Sequence, residues 1–108
     1  MTPASLTAFV TDSLSLKVAV YDDLGAPFIL SDAKIEEAIL VIDNTTFSGT
    51  FKIESNLIDF FIPCELEQFN KPALLPFYVR IAAPGERSAF TVAYGTINFI
   101  SPAIPTHA

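Results

Sequence analysis

The chain has 108 residues, a formal net charge of −6 and an apolar fraction of 51%, which suits one domain with a real core and not two. Its six cations, Lys17, Lys34, Lys52, Lys71, Arg80 and Arg87, are scattered. That pattern argues against nucleic acid and against anionic membrane surfaces as partners, because both need clustered Lys and Arg. With only 17% charged residues the polar surface falls short of covering every face, and apolar surface that a monomer cannot hide marks contact with another chain. The acidity then serves solubility.

The first five residues, 1–5, with Pro3 among them, read as an N-terminal arm unsuited to a β-ladder. The first clear element follows at Leu14, Leu16, Val18 and Val20, which alternate with Ser13, Ser15, Lys17, Ala19 and Tyr21. Strict period-two alternation predicts a strand with one face on a core. Asp22-Asp23-Leu24-Gly25 predicts a turn, with Gly25 taking the left-handed position. Ser31 to Glu36 has a short capping-like pattern, but the β-rich run after it argues against a full helix.

Ala38-Ile39-Leu40-Val41-Ile42 is apolar on both parities, as expected of a strand covered on both sides. Asn44 marks a turn, and Phe47, Phe51 and Ile53 alternate with Thr46, Ser48, Thr50, Lys52 and Glu54 as a further strand. Asn56 marks another turn before Leu57–Ile62, which reads as a second doubly covered strand interrupted only by Asp59. The second cover over these two runs is either a loop of this chain or a neighbouring subunit, and a neighbour is expected on at least one. Pro63 to Phe69 has room for a single helical turn, and helix content should be low.

Leu75, Phe77, Val79 and Ile81 form the next inward set, with Tyr78 and Arg80 on the other side. Ala83-Pro84-Gly85-Glu86 suits a type II turn and predicts a hairpin from a strand ending near Ala82 to one starting near Ser88. In the last strand, Phe90, Val92 and Tyr94 share one parity, while Ile97 and Phe99 share the other. A β-bulge near Gly95 would return both groups to one face. Residues 101–108 contain Pro102 and Pro105 and read, like 1–5, as an arm that docks on a neighbour.

The residues that carry chemistry are few. Cys64 is the only cysteine and His107 the only histidine. One cysteine makes no intramolecular disulfide, and its apolar surroundings suit a small buried hydrophobe. One histidine at the end of a tail does not make a nucleophile–base pair, and the two residues together do not make a zinc site. Asp22, Asp23 and Asp32 are the nearest approach to a loop calcium site, but they lack EF-hand spacing and suit turn formation better. Adjacent Glu36 and Glu37 point to opposite faces of a strand and do not form a glycosidase pair, with Asp59 the remaining acid. There is no glycine-rich phosphate loop. No catalytic, cofactor-binding or metal-binding residue is therefore expected, nor any enzymatic activity. Ten Phe, three Tyr and no Trp build a core rather than a sugar platform. Tyr21, Tyr78 and Tyr94 are the only stacking candidates, with Tyr21 and Tyr78 facing outward.

The stretch Asp22-Asp23-Leu24-Gly25-Ala26-Pro27-Phe28-Ile29-Leu30-Ser31-Asp32-Ala33-Lys34-Ile35 follows a strand as D-x-x-G-x-P-x-x-L-x-x-A-x-I. It resembles the N-terminal β-sandwich module of phage baseplate upper proteins and related small virion proteins, over about a third of the chain. The chain departs from that family at Ser31-Asp32, where Thr-Gly is usual, and in not continuing into a fibre. The resemblance implies a scaffolding part with no functional site to transfer.

The expectation is one domain over 1–108: an all-β antiparallel sandwich, Ig-like or jelly-roll-like, of about seven or eight strands. No signal-like N-terminus is seen, and no apolar run is long enough to span a bilayer. The expected role is a structural accessory protein of a bacteriophage virion, assembled in the host cytoplasm and acting by protein–protein packing. A capsid decoration (cement) protein comes first and a tail or baseplate module second. Other virion proteins and copies of itself are the expected partners. A small carbohydrate-binding or adhesin domain is the rival, and a host-protein inhibitor working by acidic mimicry is a third possibility.

Overall fold

The computed structural model describes residues 3–10, 12–31, 34–52, 54–63, 69, 71–83 and 89–101. Both arm tips, Cys64, His107, Asp32, most of the expected 63–69 turn and the tip of the Pro84-Gly85 hairpin lie outside those residues.

The described residues form seven strands: β1 (Ala4–Phe9), β2 (Leu14–Ala19), β3 (Glu37–Ile42), β4 (Thr45–Ser48), β5 (Leu57–Ile62), β6 (Ala73–Ala82) and β7 (Ala89–Ile100). They make a five-stranded sheet, ordered β1-β7-β6-β3-β4, and a two-stranded sheet, β2-β5. This is a β-sandwich. Consecutive strands alternate between sheets at β1/β2, β2/β3, β4/β5 and β5/β6, the crossed connectivity of Ig-like domains, in which B and E face G, F and C. No helix occurs among the described residues, and the Lys34 N–H donates to the Ser31 carbonyl at 3.1 Å.

The alternation in the sequence places the core between the sheets. Val18, Ile58, Phe60 and Ile62 of the small sheet meet Leu40, Ile42, Phe77, Val79, Ile81, Ile97 and Phe99 of the large one. Each such side chain contributes roughly 1.5–3 kcal/mol on leaving water. Phe69 closes the lower end, stacked on Phe99 at 5.2 Å and tilted against Phe47 at 5.9 Å. Leu30 and Ile35, the two apolar anchors that follow the Asp/Gly/Pro turn, are both buried.

Several expectations needed correction. The expected arm over 1–5 is shorter, because Ala4 and Ser5 belong to β1, which runs parallel to β7 from Ala4↔Gly95 to Phe9↔Ile100. The sandwich is therefore mixed, with one parallel pair among antiparallel ones. The single strand expected from Thr46 to Glu54 is broken at Gly49. β4 ends at Ser48, and the chain crosses to the other sheet, where Thr50 bridges Asp59 through backbone bonds of 2.8 and 2.9 Å. Within the chain β5 is covered on one side only: its burial alternates strictly, and Leu57 and Phe61 are 43% and 59% exposed, so no loop among the described residues supplies the second cover.

The bulge also lies elsewhere. The β6–β7 register shifts between Val79 and Arg80, which face Ala93 and Thr91, so Val92 is the extra residue and not one near Gly95. The doubly apolar reading holds for β3, where Val41 reaches the outer face yet is nearly buried, flanked in register by Tyr78 and Thr46. The hairpin holds too, with Ala82 opposite Ala89. Pro76 is tolerated in a central strand because it lies beyond the end of β3, whose pairing with β6 stops at Phe77.

Candidate functional site

Two features stand out among the described residues: an open groove at one end of the sandwich, and apolar side chains on the outer faces of both sheets.

The groove, about 690 Å³, lies where the C-terminal end of β2 diverges from the N-terminal half of β7. β1 leaves this stretch uncovered, because it pairs with β7 only from Gly95 onward. One wall is Ala19, Val20, Tyr21 and Phe28, and the other is Ile81, Phe90, Thr91 and Val92. Asp22 and Asp23 stand at its rim. The loop that follows Tyr21 is closed by local hydrogen bonds. One carboxylate oxygen of Asp22 accepts N–H bonds from Leu24 and Ala26, both 2.9 Å, while the Gly25 N–H donates to the Asp22 carbonyl at 3.0 Å. Gly25 has φ +82°, the left-handed position expected for it. Asp22 is thus a turn former, as the run Asp22-Asp23-Leu24-Gly25 led us to expect.

The acids considered for catalysis do not converge. Glu37 projects from the outer face of the large sheet and Asp59 from the outer face of the small one, on opposite sides of the sandwich. Glu36 precedes β3 with its backbone N–H donating to the Ala82 carbonyl at 3.1 Å. No group of three His, Cys, Asp or Glu residues among the described ones is placed to hold a metal ion.

The tyrosines divide between the two features. Tyr21 is exposed at the groove, as its out-facing reading required. Tyr78 lies on the outer face of the large sheet, opposite Tyr94. The parity of β7 groups Tyr94 with the inward residues, and the bulge at Val92 turns it outward. Tyr78 and Tyr94 are 38% and 39% exposed, and Leu74 on the same face is 65% exposed. On the small sheet, Leu57 and Phe61 flank Asp59, which sits directly opposite Lys17.

This geometry defines a β-sandwich domain with apolar outer faces and one open end groove. The chain matches no known family model, and no curated protein is similar to it in sequence.

Proposed function

We propose that this chain is a non-enzymatic structural accessory protein of a bacteriophage particle, acting by packing against neighbouring subunits, with capsid decoration its first assignment. The observation that carries the reading is the presence of large apolar side chains on the outer faces of both sheets: Leu57 and Phe61 on one, Leu74, Tyr78 and Tyr94 on the other. A solitary domain gains nothing from such exposure, whereas a subunit held between neighbours buries it at roughly 25 cal/mol per Å² before association costs. The resemblance to small phage virion modules, carried by Asp22 to Ile35, supplies the kind of assembly. The scattered carboxylates supply no catalytic alternative.

The test is physical association with particles. Phage particles purified by density gradient from cells making the chain are expected to carry it at a fixed copy number, and image reconstruction to place it on the head. Its absence from particles overturns the reading, and its presence at the tail or baseplate moves it to the second assignment.

The end groove favours a second reading, a small carbohydrate-binding or adhesin domain. Tyr21, Phe28 and Phe90 give it aromatic surface beside the acceptor oxygens of Asp22 and Asp23. That reading expects saturable glycan binding by the isolated domain, lost in Tyr21→Ala. A glycan array with no ligand above background discards it.

A further inference from the structure

We infer that the outer face of the five-stranded sheet is a self-association surface whose occupant is a second copy of this chain. The inference deepens the packing role proposed above and rests on it for its biological purpose.

Along the middle of this face runs a row in register: Tyr94, Tyr78, Val41 and Thr46, contributed by β7, β6, β3 and β4. The next row contains Arg80 beside Ile39, and the row after that contains Glu37 beside Ala82. Arg80 and Glu37 are the two charged side chains that the strand register puts on this face, one of each sign, so the face is electrically balanced within a chain of net charge −6.

Among the described residues most of the other exposed acids lie off this face, with Glu36 at its edge, where it lines a hollow with Glu37, Ala82 and Ala83. Asp22 and Asp23 rim the groove, Asp43 is in the β3–β4 turn and Glu54 is in the crossover to β5. Contact between two copies through those surfaces sets acid against acid, a repulsion worth several kcal/mol at close range. On the sheet face Arg80 offsets that repulsion. A two-fold contact there also matches Arg80 of each copy with Glu37 of the other, because an isologous interface satisfies an offset pair of opposite charges twice. On the small sheet Lys17 and Asp59 are directly opposed on neighbouring strands, in register to serve each other within one chain, whereas Arg80 and Glu37 are offset by two residues. At the centre of the contact, Tyr78 and Tyr94 provide large, stiff, amphipathic anchors of the kind that dominate interface energies.

The test is the mass of the full chain in solution by sedimentation velocity, at concentrations up to about 100 µM, a range that detects micromolar association. The wild-type chain is expected to sediment at twice its 11.7 kDa mass. Tyr78→Asp should return it to the single mass with an unchanged circular dichroism spectrum. Leu57→Asp, on the small sheet, should leave the double mass intact. Arg80→Glu should weaken association about tenfold or more, and adding Glu37→Arg should restore it.

A single mass for the wild type throughout the range overturns the inference. So does a double mass that survives Tyr78→Asp or dissolves in Leu57→Asp. The two proposals fail separately. A dimer absent from particles sinks the virion role alone, and a particle-bound protein of single mass sinks the self-association alone.

Discussion

Gly95 of β7 lies flat against the backbone of Ala4, the first residue of β1. A Cβ on residue 95 would overlap the Ala4 carbonyl oxygen and lie 2.7 Å from both its carbonyl carbon and its amide nitrogen. Gly95 also has φ +157°, outside the range that side-chain-bearing residues favour. The parallel β1–β7 pair therefore begins at a glycine because no other residue lets the two backbones approach.

It follows that Gly95→Ala should loosen β1 selectively. The cost is expected to be about 2–3 kcal/mol, combining backbone strain with the displaced strand. Urea denaturation reads the total. Hydrogen exchange reads the location: protection should fall in Ala4–Phe9 while the β6–β3 ladder keeps its own. Uniform loss of protection across all strands would mean that β1 is not a separable element.

The same glycine misleads the reading of the last strand. A lone glycine between two apolar parities resembles a bulge, and β7 does contain one, but at Val92. The chain signalled this poorly because the inward residue after the bulge is Ala93, too small to register as apolar periodicity. Parity alone therefore puts Tyr94 on the wrong face and hides the Tyr78–Tyr94 pair. β1 was missed although Leu6, Ala8 and Val10 alternate with Thr7, since Pro3 drew the N-terminus into an arm. In β5 the apolar Leu57 and Phe61 do not reveal by themselves whether this chain or a neighbour covers them, and Asp59 between them is the residue that signals an outer face. Strands with both parities clean, such as Leu14–Val20 and Leu75–Ile81, were legible throughout, because one face is apolar and the other polar or small.

The two sides of a strand should respond differently to the same kind of change. Leu40 is fully buried in β3, and Leu40→Ala should cost about 2–5 kcal/mol through lost transfer energy and the cavity left behind. Phe61 is a larger side chain on the outer face of β5, yet Phe61→Ser should stay within about 0.5 kcal/mol for the isolated domain. Denaturant unfolding of both variants decides the matter. A loss at Phe61 equal to that at Leu40 would show that something covers the small sheet in solution.

Asp22 organises the loop behind the groove through two bonds to one oxygen. Asp22→Ala removes both and leaves two N–H groups to water, at an expected cost of about 1–2 kcal/mol. Asp22→Asn keeps an acceptor oxygen in the same place and should retain most of the stability. Equal losses in the two variants would locate the contribution in the charge of Asp22 instead of in the turn.

Glu54 supplies a test of opposite sign. It has φ +64° in the turn closed by the Ser55 N–H on the Lys52 carbonyl at 3.2 Å, and its own N–H donates to Ser31 Oγ at 3.1 Å. Only its backbone is needed in that bond, and its side chain is exposed. A non-glycine residue in the left-handed region costs about 1–2 kcal/mol from the clash of Cβ with the carbonyl oxygen. Glycine removes that clash and gives back part of the gain through the greater freedom of the unfolded chain. Glu54→Gly should therefore stabilise the domain by about 0.5–1 kcal/mol, and Glu54→Val, with a branched Cβ at the same φ, should destabilise it. Thermal or urea unfolding of the pair gives the sign directly. A Glu54→Gly variant less stable than the wild type would mean that the glutamate side chain holds the turn, and the backbone account of this crossover would have to be abandoned.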